Sequence, residues 1–153
     1  NRMTKTWGPP TWYLFHTLAE KVNDETFNNV KLDLIHIIKL ICNNLPCPDC
    51  SMHASTKMSA LNINMIKSKN DLKQFLLFFH NEVNSRLGKP LFKPNDLEIK
   101  YKLAKTQQIV QYFIFIWSKR SHNPRLMTED LHKSRAVSEF NKWWSSNYHH
   151  FRP

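Results

Sequence analysis

Apolar residues recur along most of this chain at intervals of three and four, the period of a helix. They rarely alternate as a half-buried strand requires. Trp12, Phe15, His16, Ala19 and Val22 form the first such series. Gly8-Pro9-Pro10 precedes it, and proline is accepted in a first helical turn, so the pattern predicts a helix over about residues 9–22. The polar stretch NDETFNN then interrupts it. Leu34, Ile35, Ile38, Ile41, Cys42 and Leu45 form a second series, which Pro46 ends. A third helix is predicted from Pro48 through DCSMHASTKM. A fourth, LKQFLLFFHNEVNSRL, has Asn70 or Asp71 as its cap and Gly88-Lys89-Pro90 as its stop. NDLEIKYKLA gives a short fifth helix and TQQIVQYFIFIWSK a sixth. TEDLHKSRAVSEFNKWWSSNY, with Thr128 as cap and acidic residues in its first turn, gives a seventh. The pattern is that of an all-α chain.

Composition narrows this further. The 153 residues are 41% hydrophobic, enough for one domain with its own core. Only two glycines occur, Gly8 and Gly88. A glycine-rich phosphate loop, a Rossmann fingerprint and a turn-dense all-β fold are therefore excluded. The net charge of +10 is uneven, with thirteen Lys/Arg against six Asp/Glu after residue 80 and nine against six before it. A basic surface attracts an anionic cofactor, an acidic partner or nucleic acid. No RNP motif, zinc-finger spacing or helix-turn-helix glycine turn supports nucleic acid, which is not an expected partner. NRMTKTWGPP has no apolar run of the signal-peptide kind, and Ile109–Trp117 is too short to span a bilayer, so a soluble protein without a membrane segment is expected.

The chemistry concentrates in LICNNLPCPDCSMHA. All three cysteines of the chain, Cys42, Cys47 and Cys50, lie here with His53. A thioredoxin-like centre would need a strand before the motif and a parallel sheet around it, and the pattern offers neither. Zinc held by the three sulfurs and His53 is chemically suitable, but structural sites usually take ligand pairs from two separate knuckles. Cys42 also falls on the apolar stripe, where a buried inert thiol accounts for it. A redox disulfide within one helical turn is the third reading. A helix N-terminus lowers thiol pKa, and the spacing puts Cys47 at the cap and Cys50 inside the first turn. That arrangement gives an exposed sulfur for a substrate and a sheltered one for an internal acceptor. A CxxC alone does not decide among these.

Two further stretches bear on it. His80, Asn81 and Asn84 share a helix face, with Arg86 and Lys89 following, an edge suited to a planar, hydrogen-bonding, phosphate-bearing ligand. Trp12 and His16 are likewise four apart. Singly, each also reads as a core residue or a solvated helix face.

Taken together, WGPPTWYLFHTLA (7–19), CPDC with HA shortly after (47–54) and HNEVNSRLGKP (80–90), in this order and spacing, resemble the Erv/ALR family of FAD-dependent sulfhydryl oxidases, and LPCPDCSMHA is most similar to the minimal enzymes of large cytoplasmic DNA viruses. The resemblance implies a four-helix bundle with a short fifth helix, FAD as cofactor, no metal, and a homodimer. It implies that Cys47–Cys50 is the redox disulfide, with Cys47 attacked by a substrate thiolate and Cys50 passing electrons to FAD and then O2, giving H2O2. By position, Gly8, Trp12, His16, His80, Asn81, Val83, Asn84, Leu87 and Lys89 would bind FAD, with Tyr101 closing the site. Residues 1–103 would form this core, and residues 104–153 a C-terminal helical extension packed on it or at a subunit interface. The second, shuttle CxxC and the further structural disulfide of cellular members are missing. An external protein dithiol is therefore the expected substrate, a small thioredoxin-like viral protein for example, in the host cytoplasm at viral assembly sites or in the virion. The competing class is a helical zinc- or nucleic-acid-binding module without redox turnover.

Overall fold

A computed structural model describes residues 2–153, with side chains from Thr6 onward. Its seven α-helices are α1 (Arg2–Lys21), α2 (Phe27–Asn43), α3 (Pro48–Ala60), α4 (Lys69–Arg86), α5 (Pro94–Lys102), α6 (Thr106–Trp117) and α7 (Met127–Asn147). Among the described residues the only extended pairing is one isolated antiparallel bridge between Val22 and Phe151. The all-α architecture with a short fifth helix is the one the pattern predicts.

Helix α1 is central, packing against α4, α5 and α6, while α2 packs against α3 and α7. One apolar cluster unites them: Leu14, Leu18, Leu34, Ile38, Leu72, Leu76, Phe113 and Phe140 are all fully buried in it. Burying a large aliphatic or aromatic side chain stabilises by roughly 1.5–3 kcal/mol, so this cluster dominates the favourable side of folding. A smaller cluster of Leu77, Leu97 and Tyr101, against Tyr13 and Phe92, seats α5.

Three helix starts differ from the sequence expectation. Helix α1 begins well before Gly8 and carries Pro9 and Pro10 inside it. Each proline removes one backbone donor, but its fixed φ suits the helix, and Gly8, without a Cβ, avoids the clash a proline ring makes with the residue before it. At α4 the cap is Ser68, whose Oγ accepts from the Asp71 backbone N–H at 3.3 Å, while the Asp71 carboxylate accepts from the Lys67 N–H at 2.9 Å. This near-reciprocal pair is a form of capping box, with Asp71 as its third helical residue rather than the cap. Helix α7 starts at Met127, continuing a 3-10 turn over Pro124–Leu126 that Asn123 caps, so Thr128 lies within the first turn. Gly88 does stop α4, at φ 70°, the left-handed conformation for which glycine is suited.

The last residues close the ends of two helices. Arg152 N–H donates to Lys21 O at 2.7 Å and its guanidinium to Glu20 O at 2.7 Å, satisfying carbonyls at the end of α1. Thr106 N–H, at the start of α6, donates to Pro153 O at 2.9 Å. Buried Glu20 also lies 2.8 Å from the Lys73 ammonium, close enough for an ion pair though off the line of a hydrogen bond. No described helix is long and apolar enough to cross a membrane.

Candidate functional site

Cys47 and Cys50 form a disulfide, with Cα atoms 5.2 Å apart. Local sequence sets the geometry. Pro46 cannot extend α2, Pro48 is accepted at the first position of α3, and Cys47 between them is the N-cap. The Cys50 backbone N–H points at Cys47 Sγ, 3.2 Å away. A serine or aspartate at this position would use oxygen; here sulfur takes the place of the capping acceptor. On reduction, that N–H and the positive end of α3 favour a thiolate at Cys47.

Cys42, at the end of α2, is a free thiol and fully buried. Burial pushes its pKa far up, which leaves it protonated and unreactive at neutral pH. Among the described residues no group of three or more His, Cys, Asp or Glu side chains is arranged to hold a metal ion.

A cavity of about 950 Å3 opens beside the disulfide, bounded by α1, α3, α4 and the segment from Lys89 to Tyr101. Its wall holds Gly8, Trp12, Cys50, His80, Val83 and Asn84, and also Leu87, Lys89 and Tyr101. Three expected residues lie outside the wall. Cys47, the disulfide partner of Cys50, is not among the wall residues. Asn81 holds the loop that forms the cavity's edge: it accepts from Phe92 N–H at 2.8 Å and donates to Phe92 O at 3.0 Å. Asn84 donates to Pro90 O at 3.2 Å, so the two asparagines clamp this loop to α4.

His16 stands behind His80. The two rings share one hydrogen bond, His16 Nε2 to His80 Nδ1 at 2.8 Å, and His80 lies flat against Trp12 at 4.1 Å. His16 also packs against Tyr101 at 5.0 Å. A shared hydrogen bond needs a proton on only one of the facing nitrogens, and the environment keeps both rings neutral. Burial, with His80 and Lys100 nearby, holds His16 well below its ordinary pKa. Burial, Lys100 and Lys89 lower His80 to about 3. A folded-state pKa below the unfolded value of about 6.5 means that the unfolded chain binds more protons between the two, so stability falls as pH drops through this range. Urea unfolding at pH 7 and pH 4.5 should therefore show a loss of stability that is smaller by about 2 kcal/mol in His80→Gln, because other titrations are common to both proteins. An equal loss in the two would show that His80 does not stay neutral when folded.

The wall also contains residues that the sequence motifs did not single out: Trp7, Lys57, Phe92 and Lys100. Cys50, His53, Ala54 and Lys57 fall at helical spacing on one face of α3, a signal that was available in the sequence. Lys57 pairs with Glu82 at 2.8 Å across the cavity's edge. Trp7 shares α1 with Gly8 and Trp12, whereas Lys100 reaches the cavity only through the path of the chain.

The cavity has the character of a cofactor site. Its volume lies at the upper end of the range for small-molecule pockets, about 300–1,000 Å3. Beyond its chain neighbours, a Cβ built on Gly8 meets nothing within 4 Å, so the space beside this backbone is open to a ligand. Trp7, in the wall, has a buried indole N–H without a partner. Stacked aromatic rings and Lys57, Arg86, Lys89 and Lys100 supply a planar surface and positive charge.

Comparison with known proteins agrees with this reading. Over 85 residues the chain is 34% identical to the FAD-linked sulfhydryl oxidase ERV1 of Oryza sativa subsp. japonica, covering 56% of this chain and 43% of the rice protein. Over 116 residues it is 28% identical to the FAD-linked sulfhydryl oxidase of African swine fever virus (isolate Warthog/Namibia/Wart80/1980), covering 73% of this chain and 96% of the viral protein. The chain thus spans less than half of the rice relative but nearly all of the viral one. No solved structure matches it. The Erv1 / Alr family profile matches residues 9–102, which include the disulfide and most of the cavity wall, and the chain belongs to that family.

Proposed function

We propose that this protein is an FAD-dependent sulfhydryl oxidase that forms disulfides in protein dithiols, with O2 as the final acceptor. The observation that carries the reading is the position of one disulfide between two environments. Cys50 is in the wall of the cavity and Cys47 is not, so a substrate can reach one sulfur while a bound cofactor lies against the other.

Trp12, His80 and Tyr101 would flank the rings of FAD, with Gly8, Val83, Asn84 and Leu87 around it and Lys89 near its phosphates. His16 and Asn81 would position His80 and the edge loop. Cys47, partly exposed at the cap, takes the substrate thiolate. Cys50 leaves as a thiolate inside the first turn of α3, toward the cavity. FAD held there would supply the two-electron acceptor for the Cys50 thiolate, with O2 as the final oxidant and H2O2 as its product. The two neutral histidines add no charge to the ring-binding surface, and the surrounding lysines supply it instead.

Residues 1–103 are the cofactor-binding core in this reading, and residues 104–153 a helical cover. A homodimer, a small thioredoxin-like substrate protein, and a working place in the host cytoplasm or virion of a large DNA virus belong to the same proposal, of which the viral relatives bear on the viral setting alone.

Purified protein should show oxidised-flavin absorbance or acquire it on titration with FAD, and should then consume O2 when given a dithiol. A protein that stays colourless at saturating FAD would overturn the reading.

A further inference from the structure

A second, open cavity of about 270 Å3 lies where the start of α7 meets the α2–α3 connection that carries Cys47. Pro46 and Pro48, the neighbours of Cys47 on either side, are in its wall with Leu45 and Met52, and α7 supplies Glu129 and His132. The α7 residues lie outside the stretch that the family profile matches.

His132 is held in one tautomer. Asn44 is buried, and its Nδ2 donates to Leu40 O at 2.8 Å, which turns its Oδ1 toward α7. That oxygen can only accept, so His132 Nδ1, 3.3 Å away, carries the proton and donates. The other ring nitrogen, Nε2, is then a lone-pair acceptor, and it has no hydrogen-bond partner among the described residues. One turn earlier, Glu129 Oε2 is buried in the same region without a partner, a second acceptor left open.

We propose that this groove receives the thiol-bearing segment of the protein substrate and that His132 Nε2 is the base that removes the proton from its attacking thiol. The inference rests on the sulfhydryl-oxidase reading above. The attacking species must be a thiolate, whereas a cysteine of ordinary pKa, about 8.5, is only about 3% ionised at pH 7. Histidine is the commonest general base at neutral pH. The first substrate thiol gives its proton to His132, and its sulfur attacks Cys47 Sγ. The Cys47–Cys50 bond breaks, and Cys50 leaves with the electron pair. The second substrate thiol, losing its proton to solvent, then attacks the first substrate sulfur and closes the substrate disulfide, and Cys47 departs as the thiolate that the start of α3 favours. The dithiol loses two electrons and two protons; the electron pair of the broken bond is on Cys50, and the protons go to His132 and solvent. Glu129 offers an acceptor for a backbone N–H of the docked segment. It is the only other ionisable group in the groove, since the α2 and α3 walls contribute Asn43, Ser51 and Ser55 as polar groups.

The test is an anaerobic single turnover in which a synthetic peptide with two cysteines reduces the Cys47–Cys50 disulfide, read by alkylation and mass, from pH 6.5 to 9.5. This half-reaction needs neither FAD nor O2. His132→Gln keeps a donor for Asn44 but cannot take a proton. It should be slower than the unaltered protein at pH 7 by up to about 30-fold, the ceiling set by the thiolate fraction, and the two should converge as the pH passes the thiol's own pKa. His132→Ala should behave alike and regain rate with free imidazole. A deficit that is the same at every pH, or no deficit at pH 7, overturns the proposal. If the pH-dependent deficit is found but flavin and oxygen uptake are absent, the oxidase reading fails and the role of His132 in thiol exchange stands.

Discussion

Serine at Cys47 or at Cys50 should reduce dithiol-driven oxygen uptake to the background rate, while Cys42→Ser keeps most of it. Either of the first two changes removes the only disulfide among the described residues, and without it there is no sulfur–sulfur bond for a substrate thiolate to attack. Cys42 borders the cavity but is fully buried, and its raised pKa keeps it out of thiolate chemistry. Its replacement places a hydroxyl in an apolar site, which costs about 1–3 kcal/mol of stability rather than turnover. The two inactive variants should also differ from each other. Cys47→Ser leaves Cys50 free in the cavity wall beside the first turn of α3, so its thiolate lies against bound flavin and should give a long-wavelength absorbance. Cys50→Ser leaves the free sulfur on Cys47, which is not part of the wall, and should give none. Equal absorbance in both would reverse the assignment of the outer and inner sulfurs. Loss of activity in Cys42→Ser to the same background would mean that the third cysteine takes part in the reaction.

The sequence showed most of what is encoded locally and little of what depends on the path of the chain. All seven helices were legible, six of them because they run for three turns or more, while the nine-residue α5 is marked by Pro94 at its first position. Their ends were less so. Ser68-Lys69-Asn70-Asp71 carries a capping-box signature, but Asn70 and Asp71 are also good cap residues, and only the hydrogen bonds separate them. Pro9 and Pro10 read as a helix start because prolines usually stand there, whereas α1 continues through them. In the site, the CPDC turn and the His80–Lys89 edge were legible as motifs, since neighbours on one turn stay neighbours in space. The clamp from Asn81 and Asn84 was not, because a shared helix face shows which residues are together and not whether they face a ligand or a loop. Lys100 comes to the cavity from α5, outside the three motif stretches. His132 and Asn44 are 88 residues apart, and no local pattern could pair them.

The second large effect concerns the segment after the family core. Trp117→Ala should destabilise the whole protein by about 4 kcal/mol, judged from the 3–5 kcal/mol typical of deleting a buried tryptophan. Its side chain is 1% exposed, packs on Phe113 at 5.0 Å and so joins α6 to Phe140 of α7. Its indole N–H donates to Thr11 Oγ1 at 3.0 Å, and that hydroxyl donates to Trp7 O at 2.6 Å. The chain of contacts runs from the C-terminal helices through α1 to a residue of the cavity wall. A loss of that size is a large part of the 5–15 kcal/mol that a domain usually has. Trp117→Phe keeps most of the apolar area and removes only the donor, so it should cost about 1–2 kcal/mol, which separates packing from the hydrogen bond. Urea unfolding measures both, and a single transition with an unchanged m-value is expected, since one core spans the two segments. A change below about 1 kcal/mol in Trp117→Ala, or a second transition in the unaltered protein, would show that α6 and α7 fold apart from the bundle, because a residue buried in a shared core cannot be removed at so small a cost.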